Sequence, residues 1–279
     1  MTDKADFGTY GVWRMASRLD GAFAQRVEQL GFGALWVGGS PAADLMIVEE
    51  LLDATETIVV ATGIVNIWTA DARSVAQAFH RIEDAHPGRL VLGIGSGHRE
   101  ATPERARPFT ALRAYLDVLD EEGVGKDQRL LAALGDRTLA LAAERTLGAH
   151  PYLTVPAHTR HAREVLGEAF LAPELKVALA GSADEARGTG RAFLERYFRL
   201  ENYVGALRRF GAGDDDVAGG GSDALVDAVV ANPDVEDAVA GLRSHLDAGA
   251  DHVSVQALGD DPLGTLERLA PALGLGAGD

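Results

Sequence analysis

The chain has 279 residues, 47% of them hydrophobic, no cysteine and a formal net charge of −16. That length suits one large (β/α)8 barrel or two smaller domains, and the acidity speaks against a nucleic-acid or anionic-membrane partner, which needs a basic footprint. Without cysteine there is no disulfide, thiolate metal site or thiol nucleophile; with no apolar signal core at Met1–Asp6 and no apolar run of membrane-spanning length, the expectation is a soluble cytoplasmic protein.

The first predicted strand runs from Phe7 to Trp13. Ser17 is placed to cap a helix to Leu30, with Leu19, Phe23, Val27 and Leu30 on one face. The second strand, Ala34–Val37, closes at Gly38-Gly39-Ser40, and Pro41 opens a helix to Ala54. The third strand, Ile58 to Trp68, is nearly all apolar and β-branched. Asp71 caps the helix that follows to Ala85. After a Pro87-Gly88 turn the fourth strand runs from Leu90 to Ile94 and ends in Gly95-Ser96-Gly97-His98. Two unbroken apolar strands around one amphipathic helix read as a buried parallel pair. Ligands in such sheets bind at the carboxyl ends of the strands, which brings Asn66, Trp68, Gly97 and His98 to one mouth.

A helix is predicted over Pro108–Glu121, and a fifth strand over Arg129–Leu134, ended by Gly135-Asp136. A helix to Thr146, a sixth strand over Ala149–Val155 and a helix opened by Pro156-Ala157-His158-Thr159 follow. The seventh strand is Leu175–Leu179. One long helix then spans Ser182–Phe210, before a glycine- and aspartate-rich loop at 211–222. Helices at Asp223–Ala231 and Asp234–Asp247 lead to the last strand, His252–Ala257, and a helix from Pro262. Eight strands alternating with helices make an α/β protein, a (β/α)8 TIM barrel. It is a single domain over 1–279 with a helical insertion at about 200–247, before the last strand.

Candidate site residues cluster at the predicted carboxyl ends. Gly93-Ile94-Gly95-Ser96-Gly97 is not a G-x-G-x-x-G fingerprint, because position 98 is His and the run follows the fourth strand. Its glycines suit close packing of a strand, or the approach of a flat ring or phosphate to the backbone. His98 directly follows and is the candidate proton donor or acceptor, although a solvated loop histidine beside Arg99 and Glu100 reads the same. Gly63 interrupts the third strand before Asn66, the pattern of a bulge, and the amide of Asn66 suits either a heterocycle edge or neighbouring backbone. The turns at Leu134-Gly135-Asp136 and Pro156-Ala157-His158-Thr159 each offer helix N-terminal amides to a phosphate. Trp13 and Trp68 suit the walls of a ring pocket. No H-E-x-x-H, no aspartate cluster of metal spacing and no G-x-S-x-G elbow occurs, so no metal is expected.

These segments resemble the bacterial luciferase-like family of flavin and deazaflavin oxidoreductases, most closely its actinobacterial branch that uses coenzyme F420. The resemblance is carried by Leu35-Trp36-Val37, by Ala61 to Trp68, and above all by Pro87-Gly88-Arg89 through Gly95-Ser96-Gly97-His98. Leu131-Ala132-Ala133-Leu134-Gly135 and Ala248-Gly249-Ala250-Asp251-His252-Val253 also match. It implies a (β/α)8 barrel with an insertion before the last strand, and a non-proline cis peptide within Gly63-Ile64-Val65-Asn66 backing the cofactor ring. It implies that Gly95, Ser96 and Gly97 lie by the cofactor, that His98 does acid–base work, and that Ala133, Leu134 and Gly135 approach the cofactor tail. His158 and Thr159 are expected at that tail as well, and Trp13, Ser40, Trp68 and Tyr152 around a small-molecule substrate.

Relatives that oxidise alcohols or sugar phosphates carry an acid–histidine pair after the second strand, where this chain has Gly38-Gly39-Ser40. The reading is therefore an F420-dependent oxidoreductase leaning towards reduction. An FMN-dependent monooxygenase and a non-catalytic flavin-binding barrel are the alternatives. The family resemblance adds a possible homodimer.

Overall fold

The computed structural model describes residues 7–97 and 107–276. Its strands are β1 Tyr10–Met15, β2 Ala34–Gly38, β3 Val59–Gly63, β4 Val65–Asn66, β5 Leu90–Gly95, β6 Arg129–Leu131, β7 Gly148–Ala149, β8 Phe170–Leu171, β9 Glu174–Val177, β10 Val230–Ala231 and β11 Val253–Ala257. Their pairings are all parallel, in the order β10-β9-β11-β1-β2-β3-β5-β6-β7-β8, with β4 also on β5. β8 pairs with β7 and β9 pairs with β11, while only Ala172 and Pro173 separate β8 from β9. These two are one stave interrupted at a proline that has no N–H to give. With β3 and β4 likewise joined and β10 set aside, the sheet closes as eight staves.

The helices are α1 Gly21–Gln29, α2 Met46–Asp53, α3 Ala72–Ala85, α4 Pro108–Glu121, α5 Asp136–Arg145, α6 Pro156–Leu166, α7 Ala183–Leu194, α8 Glu201–Arg209, α9 Asp223–Val229, α10 Val235–Asp247 and α11 Pro262–Ala272. α3 shows how the pattern becomes structure. The Asp71 carboxylate accepts from Ser74 N at 2.9 Å, and Val75, Ala76, Phe79 and Ile82 form one buried stripe on the barrel. Around the outside, α6 packs on α5 and α10, and α10 packs on α11. An Arg26–Glu267 pair at 2.7 Å then joins α1 to α11. α10 therefore belongs to the outer ring, and the extra elements run from α7 to β10, about 183–231, rather than over 200–247.

Other boundaries move for local reasons. Ser17 caps nothing: residues 16–18 form a 3-10 turn, and Asp20 caps α1 by accepting from Phe23 N at 2.8 Å. The helix expected from Pro41 begins at Met46, after Leu45 with φ 53°. The sixth strand shrinks to two residues because Pro151 follows His150. The helix expected over Ser182–Phe210 breaks at residues 195–200, where a 3-10 turn, Tyr197–Arg199, brings Tyr197 against Tyr152.

The barrel interior is filled by Phe7, Trp13, Trp36, Val59, Ala61, Val91, Leu130 and Phe170. A larger apolar layer lies between strands and helices, and a third lies under the insertion. Among the described residues no helix is long and apolar enough to cross a membrane.

Candidate active site

At the carboxyl ends of the strands a cavity of about 700 Å³ opens. Its floor begins with Trp13 at the end of β1. A Cβ on Gly38 would sit 2.1 Å from Trp13 Cζ2, and one on Gly63 would sit 2.8 Å from Trp13 Nε1. Two strand-end glycines thus make room for an indole laid across the barrel. Its Nε1–H has no hydrogen-bond partner although it is buried. The peptide between Gly63 and Ile64 is cis, within the segment where the family resemblance expected one.

His150 follows β7 and stacks on Trp36, with ring centroids 4.0 Å apart and planes at 14°. Its Nδ1 lies 2.7 Å from the carbonyl oxygen of Ala172. A carbonyl only accepts, so the ring proton sits on Nδ1 and Nε2 presents a lone pair. That Nε2 is buried and unpartnered, 3.5 Å from where a Gly63 Cβ would stand. Burial lowers the His150 pKa to about 3, with the Ala172 carbonyl pulling the other way, so the ring is neutral at physiological pH. A buried donor, Trp13 Nε1, and a buried acceptor, His150 Nε2, therefore both lie against Gly63.

The opposite wall is phenolic. Tyr152 donates its hydroxyl to Gln256 Oε1 at 2.8 Å and accepts from the Tyr197 hydroxyl at 3.0 Å. Its ring lies 5.1 Å from Trp13 and 5.8 Å from Tyr203 by centroid. Lys176 Nζ sits 4.0 Å from the Tyr152 ring centroid and pairs with Glu174 at 2.7 Å, both side chains fully buried. Burial pushes the Lys176 pKa down and the Glu174 pKa up, while their contact opposes both shifts.

Of the residues singled out in the sequence, Trp13, Ser40, Gly63, Ile64, Asn66, Ser96, Gly97, Ala133, Leu134, Gly135 and Tyr152 line this one cavity. The Asn66 amide serves its own turn, with Oδ1 accepting from Trp68 N at 3.0 Å, and its Nδ2 lies 2.7 Å from where a Gly97 Cβ would stand. Gly97 has φ +55°, so a side chain there meets both strain and Asn66.

Other expectations are displaced. Gly95 packs behind the wall, with Ile64 and Ala132 about its α-carbon. Trp68 does not line the cavity. The chain turns after Asn66, and the indole N–H is spent on the Ser96 carbonyl at 2.9 Å, bracing the glycine turn. His158 and Thr159 also do not line it. His158 Nε2–H donates to the Leu134 carbonyl at 3.1 Å and Thr159 Oγ1 bonds His245 Nδ1 at 2.8 Å, because both side chains face the α6 packing interface. Burial lowers the His158 pKa to about 4. His98 lies outside the described residues.

Sequence reading missed His150, Tyr197, Tyr203 and Arg196, all of which line the cavity. For His150 a signal existed, since a proline directly after it marks the end of a stave. For the three insertion residues no local pattern separates a wall-forming turn from a continuing helix. Among the described lining residues there are two arginines, Arg137 and Arg196, and no carboxylate. Among the described residues no cluster of three His, Asp or Glu side chains could hold a metal.

Residues 16–122 match the model of the luciferase-like monooxygenase family. No curated protein matches the sequence. Among solved structures, an F420-dependent secondary alcohol dehydrogenase holding an F420–acetone adduct superposes with a TM-score of 0.74 at 13% identity, covering 95% of this chain and 98% of that one. The coenzyme F420-dependent tetrahydromethanopterin reductase from Methanopyrus kandleri gives 0.73 at 16% identity, covering 94% and 97%. The oxygenating constituent of 3,6-diketocamphane monooxygenase from Pseudomonas putida, a type II Baeyer–Villiger enzyme in complex with FMN, gives 0.71 at 14%, covering 94% and 95%. Residues 16–122 are thus similar to the luciferase-like monooxygenase family, and the fold is like that of these structures across nearly the whole chain.

Proposed function

We propose that the protein is a coenzyme F420-dependent oxidoreductase, acting on a small organic substrate and leaning towards reduction. One observation carries the reading: a cavity of about 700 Å³ at the barrel mouth whose described lining includes several glycines and no carboxylate, with two unsatisfied buried ring nitrogens of opposite hydrogen-bonding sense. The two F420-dependent structural neighbours support it.

The residues fit a flat anionic cofactor. Gly63, Ile64, Asn66, Ser96 and Gly97 would hold the ring, with Gly95 behind them, because glycine lets a plane approach the backbone. Ala133, Leu134 and Gly135 would hold the tail where α5 begins, with Thr138 and Arg137 beside them. When bound, the deazaflavin supplies the hydride chemistry.

The chain's own side chains orient and shield. Trp13 Nε1–H and His150 Nε2 offer one donor and one acceptor to whatever polar edge enters. The His150 imidazole, its pKa lowered to about 3 by burial, is neutral and accepts a hydrogen bond at Nε2. Trp13, Ser40 and Tyr152 form the substrate side, and His98 carries the proton in this reading, on its place in the sequence after Gly97. Ser40 stands where an acid–histidine pair would serve alcohol oxidation, so that reaction is not proposed.

An FMN-dependent monooxygenase is the second reading, supported by the family description and the FMN-bound neighbour. Anaerobic reoxidation of reduced F420 across a panel of unsaturated substrates, beside oxygen uptake with reduced FMN, separates them. Reoxidation that His98→Ala slows about 100-fold supports the first. Oxygen uptake with FMN alone supports the second, and neither activity favours a non-catalytic barrel.

A further inference from the structure

We infer that the substrate is a flat aromatic carboxylate, its ring on the tyrosine wall and its carboxylate on Arg196. This rests on the reading above and names the substrate class for the same cavity.

The charge distribution comes first. The chain carries 42 acidic residues against 26 basic ones, yet no acidic side chain lines the described cavity and two arginines do. The arginines sit on different parts of the lining. Arg137 lies over the Phe109 ring at 4.3 Å, beside the Gly135 turn assigned to the cofactor tail. Arg196 belongs to the insertion. Its guanidinium lies 4.8 Å from the ring centroids of both Phe193 and Tyr197, and its Nη2 donates to the Tyr197 hydroxyl at 3.1 Å. Among the described residues it makes no ion pair with a carboxylate. Arg196 is exposed to solvent yet lines the cavity, and a guanidinium stacked on aromatic faces with no described carboxylate paired to it presents its fork to a planar anion.

The wall beside it has the matching shape. The Tyr152, Tyr197 and Tyr203 ring centroids lie 5.5, 5.6 and 5.8 Å apart, and Trp13 lies 5.1 Å from Tyr152. The Tyr152 hydroxyl is tied to Gln256 and to the Tyr197 hydroxyl, and Lys176 lies under Tyr152. Such rings are held in place before a ligand arrives, so a planar guest stacks with little ordering cost. Tyr197, Tyr203 and Arg196 all come from the insertion, so the insertion sets substrate choice while the barrel glycines serve the cofactor.

The test titrates the full-length protein with 2-naphthoate and with 2-naphthamide, followed by tryptophan fluorescence. The acid is expected to bind about tenfold tighter than its neutral isostere, with the gap narrowing as salt rises. Arg196→Gln should erase the preference and Arg196→Lys should keep part of it, with far-UV circular dichroism and Tm confirming that both variants fold. Equal binding of acid and amide, a preference that survives Arg196→Gln, or binding of neither overturns the proposal. The same preparations are titrated with F420 and FMN. Cofactor binding without a naphthoate preference overturns the substrate class alone, and a naphthoate preference without cofactor binding overturns the cofactor reading alone. Competitive displacement of naphthoate by either cofactor would give the tyrosine wall to the cofactor ring and overturn the proposal.

Discussion

The two halves of the barrel are built from different materials. From β1 to β5 the staves are long and apolar, and Thr55 and Thr62 are the buried polar side chains among described residues there. From β6 to β10 the strands are shorter, and this half, strands, helices and turns together, buries Arg129, His150, His158, Glu174, Lys176, His245, His252 and Gln256. The first half meets the cavity with glycines beside Trp13, Met15, Ser40 and Asn66, the second with phenols, an imidazole and two guanidinium groups. A wall that only has to be close to a ring tolerates an apolar pattern. A wall that must orient a substrate needs polar groups, and each buried one needs a partner.

The sharpest way to break this contrast is to unpair the second half's buried charges. Lys176→Met leaves Glu174 uncompensated and should lower stability by about 3–5 kcal/mol in urea unfolding. Adding Glu174→Gln should restore most of that loss. In the first half an apolar truncation is the equivalent damage: Ile82→Ala, fully buried on the inner stripe of α3, should cost about 2–5 kcal/mol.

Acid should separate the halves without any mutation. His150 titrates at about 3, and His158, His245 and His252 at about 4, each lowered first by burial, against about 6.5 in an unfolded chain. Between pH about 6 and 4 the unfolded state binds more protons, so stability is present above that window and falls as pH falls through it. The loss is up to about 1.4 kcal/mol per pH unit for each histidine. Hydrogen exchange at pH 5 should accelerate over residues 146–257 well before residues 58–95. Uniform acceleration would contradict the division.

The smallest expected effect is local to the first half. Asp71→Ala removes the α3 cap and should cost about 1 kcal/mol, with no change in ligand binding.

The same division explains what was legible in the sequence. Val59–Gly63, Leu90–Gly95 and α3 announce themselves because both faces of a buried parallel stave are apolar, and one stripe of its helix matches. The Gly63–Asn66 and Gly95–Gly97 segments stand out because glycine at a strand end marks close packing or close approach, and the sequence does not say which: Gly97 lines the cavity while Gly95 packs behind it. In the second half the signal fades. A two-residue stave such as β7 has no periodicity to read, and His150 and Lys176 look out of place in a core until Trp36, Tyr152 and Glu174 are seen around them. The turn at Tyr197–Arg199 is fixed by contact with Tyr152, which lies 45 residues away in the chain. His158 and Thr159 misled for a related reason: a helix N-terminus offers the same amides whether its side chains face a ligand or a neighbouring helix.

The most direct measurement is parallel fluorescence titration of wild type and Gly97→Val with coenzyme F420 and with FMN. The introduced isopropyl group would meet Asn66 Nδ2 and a left-handed backbone, closing the slot assigned to the ring. The account predicts selective F420 binding by the wild type and at least a roughly tenfold loss in the variant. Binding of neither cofactor, or equal affinity in the variant, would contradict it.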